Sequence, residues 1–94
     1  MKLRYTPRAR LDIAEIHDYI AQDNPPAARQ VVRIIRKAVE ALLQNPLVGR
    51  AGRITGTREL TVGRFPFMLA YRVDADEVQI LSVIHTARMW PENL

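Results

Sequence analysis

Cysteine is absent from this 94-residue chain, so neither a disulfide framework nor a thiolate metal site can hold it together. Its stability has to come from a packed core. A chain of this length buries roughly 60–65% of its unfolded surface as one small domain, with a folding stability on the order of 5–14 kcal/mol. Residues 1–94 are therefore read as a single domain. No stretch approaches 18 apolar residues, and the start, Met1-Lys2-Leu3-Arg4-Tyr5, holds no apolar run of signal-peptide length. No membrane partner is expected, and the chain reads as soluble and cytoplasmic. Internal repeats, low-complexity segments and linker-like shifts in composition are missing as well. Lysine is scarce, with only Lys2 and Lys37, so arginine carries the basic character. Guanidinium groups suit bidentate contacts to phosphate or carboxylate.

What is present is an ordinary globular composition, 48% hydrophobic and 26% charged, which argues against wholesale disorder. The net charge of +4 suits an anionic partner, although charge speaks to association and not to fold. Its distribution is more specific. Between Leu47 and Val73 stand Arg50, Arg53, Arg58, Arg64 and Arg72, opposed only by Glu59. Two readings compete for this segment, a solvated arginine-rich loop and a working anion-binding surface.

The hydrophobic pattern predicts a short strand, two helices and then strands. Lys2 to Tyr5 alternates polar and apolar, and Thr6-Pro7 follows as an N-cap with proline at the first helical position. Ala9, Ile13, Ile16 and Ile20 fall on one face of a helix running to about Gln22. Asn24-Pro25-Pro26 repeats the start signal, and Ala28, Val31, Ile35, Ala38 and Leu42 form the apolar stripe of a longer helix that Pro46 and Gly49 end. So short a link folds the two helices into an antiparallel hairpin. Beyond an expected Gly- and Arg-containing loop at 49–56, a short strand covers Arg58 to Val62. Phe65, Phe67, Leu69, Tyr71 and Val73 then alternate along one face of a longer strand. After a turn at Asp74-Ala75-Asp76, the last strand runs from Glu77 to Thr86, with Val78, Ile80 and Ile84 expected on one face and Leu81 and Val83 on the other.

The expected fold class is α+β, in the order β-α-α-β-β-β, with the helical hairpin on one face of a small, twisted, mostly antiparallel sheet. Too little chain remains to cover the other face fully. That face, or a groove beside it, is expected to be open to a partner.

The ordered set of short motifs adds a family. Thr6-Pro7 with Ala9, Asn45-Pro46-x-x-Gly49-Arg50, Thr57-Arg58-Glu59-Leu60, Arg64-Phe65-Pro66-Phe67, Tyr71-Arg72-Val73 and Ile84-His85-x-x-Arg88-x-Trp90-Pro91 follow one another as in the RelE/ParE superfamily of small bacterial toxins. The chain resembles that superfamily over nearly its whole length, and its ParE-like branch more closely. The resemblance implies the toxin of a type II toxin–antitoxin module, held inactive by a cognate antitoxin, with operator DNA reached only through that antitoxin. In the ParE-like branch the target is DNA gyrase, and in the RelE-like branch the toxin cuts messenger RNA on the ribosome. A degenerate, non-toxic component is a third reading.

Chemistry separates the branches. A ribosome-dependent nuclease needs basic groups and an acid/base side by side to activate a 2′-hydroxyl and stabilise the charge that develops on phosphorus. Several RelE-like toxins place an arginine three residues before a strand tyrosine, whereas here Tyr71 is preceded at that distance by Met68, which cannot offset phosphate charge. No catalytic residue, cofactor or metal is therefore expected. A nuclease would have to rely on Arg64, His85 and Arg88. Otherwise Arg50, Arg53, Arg58, Arg64, His85, Arg88 and Trp90 are candidates for contacts to antitoxin or target. Each has a plainer alternative: His85 as a strand-end cap, Arg88 in a salt bridge to Glu92, Trp90 as an anchor for the tail. On the second helix Arg29, Arg33, Arg36 and Lys37 form a basic stripe, read either as a solvated face or as a macromolecular contact.

Overall fold

The computed structural model describes residues 1–86, so the expectations placed on Arg88 and Trp90 lie outside the described residues. Strand β1, Lys2–Tyr5, leads directly into helix α1, Pro7–Ala21. Thr6 has extended backbone and its hydroxyl oxygen accepts a hydrogen bond from the Ala9 amide at 3.1 Å, while Pro7 occupies a position whose N–H would have no partner. Helix α2, Pro25–Gln44, starts the same way, with the Asn24 side chain accepting from the Ala27 amide at 3.1 Å. Residues 22–24 are the whole link, and the helices lie together as a hairpin.

Strands β2 (Arg50–Ala51), β3 (Arg58–Thr61), β4 (Phe67–Asp74) and β5 (Glu77–His85) complete a five-stranded sheet in the order β1-β5-β4-β3-β2. β1 pairs with β5 in parallel, and every other pair is antiparallel. The α+β architecture is as expected. One strand is added to it: β2 lies inside the expected loop, where two residues are too few to show any period.

The core lies between the helical hairpin and one face of the sheet. Ala9 and Ile13 from α1, Ile35, Val39 and Leu42 from α2, and Leu69, Tyr71, Val78, Ile80 and Val83 from the sheet form one cluster. Burying a side chain such as Ile35 or Leu42 is worth roughly 1.5–3 kcal/mol. Tyr5 packs against this cluster; burial pushes its phenol pKa up, with Arg36 opposing the rise and Glu40 adding to it. A second, smaller cluster of Met68, Ala70 and Ile84 belongs to the opposite face.

Two details depart from the alternation in the sequence. Ala70 pairs with Ser82 but Tyr71 pairs with Ile80, so Leu81 is an extra residue on β5. This bulge inverts the in-out parity, and Val83 joins the main core with Val78 and Ile80 while Ile84 turns to the other face. Phe65 is not on the strand face. The Val62 amide donates to the Phe67 carbonyl and the Phe65 amide to the Val62 carbonyl, closing a turn before β4, with Gly63 at a φ of 55°. Phe65 sits in that turn, 38% exposed, because a strand cannot extend through a tight reversal.

Candidate functional site

The arginine-rich segment is organised around a buried tyrosine. Tyr71 is fully buried on β4, and its hydroxyl donates to the Pro46 carbonyl at 2.8 Å while accepting from the Gly49 amide at 2.9 Å. The ring thereby fixes the chain that leaves α2. Gly49 is required there by space alone, since a Cβ would stand 2.5 Å from the Tyr71 hydroxyl and 2.9 Å from the Glu59 carbonyl oxygen. Arg58 holds the same turn from outside. Its Nη1 donates to the Gly49 carbonyl at 2.9 Å and the Leu47 carbonyl at 3.3 Å, so this guanidinium serves as a clamp on backbone.

The neighbouring arginines are deployed differently. Arg50 Nε meets Glu59 Oε1 at 2.6 Å across the β2–β3 pair, with the Arg50 side chain largely in solvent. The pair is exposed on the arginine side only, since the Glu59 side chain is 13% exposed and relies on Arg50 for its partner. Arg53 and Arg64 are exposed and have no ion-pair partner among the described residues. Arg50 and Arg53 line a groove of about 420 Å³ with Glu59, Thr61, Met68 and Thr86. Cross-strand pairing explains the set: Arg50 opposite Glu59, Glu59 opposite Ala70 and Thr61 opposite Met68 place these side chains on the sheet face away from the helices. Arg64 stands at the tip of the β3–β4 turn.

His85 belongs to another surface. It pairs with Phe67 at the end of β5, and the two rings meet edge to face with centroids 5.7 Å apart. Both line a cleft of about 540 Å³ beside α1, with Asp12, Glu15, Tyr19 and Val83. Asp12 connects helix to strand. Its Oδ2 accepts from Ser82 Oγ at 2.5 Å and from the Val83 amide at 3.0 Å, satisfying the edge of β5 where β1 has already ended. Thr6 does the same one step earlier, donating to the Leu81 carbonyl at 2.9 Å.

The expected contact residues thus fall into separate groups. Arg50 and Arg53 share the outer groove, Arg64 projects from the adjacent turn, Arg58 is engaged with the backbone, and His85 lies on the helical side. Among the described residues no group of three or more His, Asp or Glu side chains is arranged to hold a metal ion, and no helix is long and apolar enough to cross a membrane. Sequence reasoning missed Asp12 and Tyr19. Asp12 was visible in principle, because it interrupts the stripe Ala9, Ile13, Ile16 at a helical position that faces the sheet, where an unpaired carboxylate would be costly.

Known proteins are similar to this chain in sequence and fold. A family described as the ParE toxin of the type II toxin–antitoxin system parDE matches residues 3–90. The protein Y4kP of Sinorhizobium fredii is 44% identical over 93 residues, covering 99% of this chain and 96% of the relative. Toxin RelE2 of Caulobacter vibrioides is 35% identical over 85 residues, covering 90% and 94%. A chain of the chromosomal ParDE toxin–antitoxin system of P. aeruginosa superposes with a TM-score of 0.81 at 34% identity, covering 90% of this chain and 95% of its own. With fold, motif order and similarity in agreement over nearly its full length, the chain belongs to the ParE family of type II toxin–antitoxin toxins.

Proposed function

We propose that this toxin acts by binding a protein target, DNA gyrase, and not by cutting messenger RNA, and that a cognate antitoxin neutralises it. One observation carries the reading: the two strand positions from which an RNA-cutting relative would draw its chemistry are both occupied in packing. Tyr71 has no exposed surface and both sides of its hydroxyl are taken, and Met68 is buried with Ala70 and Ile84. Of the remaining candidates, His85 faces the α1 cleft and Arg64 is exposed in the β3–β4 turn, while Arg88 lies outside the described residues. General acid–base catalysis needs its groups within hydrogen-bond reach of one substrate atom.

For the antitoxin, the outer groove is the favoured contact. Exposed Arg50 and Arg53 border a groove that mixes Ala51 and Met68 with Glu59, Thr61 and Thr86, and Arg64 is exposed in the β3–β4 turn, which suits an extended segment that carries carboxylates. His85, Arg88 and Trp90 complete the proposed contact set for antitoxin or target.

Induction of the chain without antitoxin tests the reading when supercoiling, double-strand breaks and transcript integrity are followed in the same cells. Broken or relaxed DNA with intact transcripts is expected, together with inhibition of purified gyrase by the purified chain. Cleaved messages over intact, normally supercoiled DNA would overturn it, and so would normal growth on strong induction.

A further inference from the structure

The exposed side of α2 carries a charge pattern that neither the fold nor the proposed target contact uses. Arg29, Arg33, Arg36 and Lys37 are all exposed and recur at helical spacings of four, three and one, opposite the buried Ile35, Val39 and Leu42. Arg10 of α1 joins Arg36 at one end of the stripe, beside Glu40. Stability does not account for this placement. Like charges three and four apart on a helix repel by roughly 0.2–0.5 kcal/mol a pair, a cost that the single acid on this face, Glu40, offsets only in part, and cations favour the last turn of a helix, where α2 has none. None of the five cations has an ion pair among the described residues.

We infer that this stripe is a contact for the phosphate backbone of duplex DNA, made by the toxin itself and independent of base sequence. This departs from the expectation that operator DNA is reached only through the antitoxin, and it does not depend on which target the toxin poisons. The spacing fits a regularly charged polymer, since Arg29 to Lys37 spans about 12 Å of rigid helix at 1.5 Å per residue. The alternative partner, an acidic peptide, needs apolar anchors to offset its loss of freedom. Between Pro25 and Gln44 no large apolar side chain is exposed to supply one, and at the Arg10 end of the stripe Leu3 alone is, whereas Leu11, Tyr19, Leu47 and Val48 are exposed elsewhere. Phosphate contacts need none, because the gain comes from counterions released from the DNA. Arginine forks also match phosphate oxygens in pairs.

The test is the binding of a labelled random-sequence 20-base-pair duplex to the purified full chain, followed by anisotropy as salt is raised. Four phosphate contacts predict a log–log salt slope near −3.6, or about a 150-fold loss of affinity between 50 and 200 mM salt. The double variant Arg29→Gln/Arg33→Gln should flatten the slope by about 2, whereas Lys2→Gln/Arg72→Gln, which removes the same charge from the opposite sheet face, should leave it unchanged. Equal effects of the two doubles would show that net charge alone is at work and overturn the assignment. Unchanged DNA binding with weakened antitoxin binding in the α2 double would overturn it too, assigning the stripe to the peptide partner. Circular dichroism of each double checks that both retain the fold.

Discussion

Replacing Gly49 with alanine tests whether the arginine segment is positioned by the Tyr71 anchor. The added Cβ would stand 2.5 Å from the hydroxyl oxygen, 2.8 Å from ring carbon Cε1 and 2.9 Å from the Glu59 carbonyl oxygen. The ring has nowhere to withdraw, since Tyr71 is fully buried and its hydroxyl is tied on both sides. Overpacking of this kind costs typically about 1–3 kcal/mol, and losing the Gly49–Tyr71 hydrogen bond adds about 1 kcal/mol. The expected total of about 3 kcal/mol corresponds to a fall in Tm of roughly 12–24 °C for a chain of this size. Urea unfolding followed by far-ultraviolet circular dichroism measures it, with an unchanged m value showing that the folded state alone has moved. A second variant isolates the cause. Tyr71→Phe removes the nearest obstacle, so Gly49→Ala should cost at least about 1 kcal/mol less in that background than in the wild type. A loss below about 0.5 kcal/mol for Gly49→Ala, or strict additivity of the pair, would refute the reasoning.

Two further outcomes follow from the same contacts. Asp12→Ala leaves the Val83 amide and the Ser82 hydroxyl without their acceptor and should destabilise by about 2–3 kcal/mol in thermal unfolding, whereas Ser82→Ala, which spares the amide bond, should cost clearly less. Arg58→Ala should lower Tm by releasing the Leu47 and Gly49 carbonyls, while Arg53→Ala should change stability by less than about 0.5 kcal/mol and weaken antitoxin binding in calorimetry. The reverse assignment of those two effects would show that clamp and contact had been exchanged.

Much of this fold was legible because local signals agreed with one another. Thr6-Pro7 and Asn24-Pro25 mark both helix starts, and the apolar stripes include Ala9, Ile13, Ala28, Ile35 and Leu42, which are buried, while Val39 is buried beside them without being part of the stripe. What could not be read depends on partners far away in sequence. The bulge at Leu81 exists only as a mismatch between two paired strands, so alternation within β5 assigned Val83 and Ile84 to each other's faces. β2 is ordered by β3, and Phe65 leaves the strand because a turn needs it. At the candidate site the arginines were visible as a charge cluster, but their division of labour was not. Whether a guanidinium holds a backbone carbonyl, as Arg58 does, or stays in solvent, as Arg53 does, is decided by register and by the side of the sheet it emerges from.

The parallel pairing of β1 with β5 places the first strand against the last among the described residues. β5 is also the strand to which Thr6 and Asp12 are bound, so the beginning of the protein has no sheet to join until residues 77–83 exist. At a synthesis rate of roughly 5–20 residues per second, the first strand and helix wait roughly 4–15 s for them. A product that ends before Glu77 lacks the strand that joins β1 to β4 and to which Thr6 and Asp12 are bound. Docking of the first strand and helix is thereby deferred until β5 has been made, with the order of synthesis acting as a delay written into the topology.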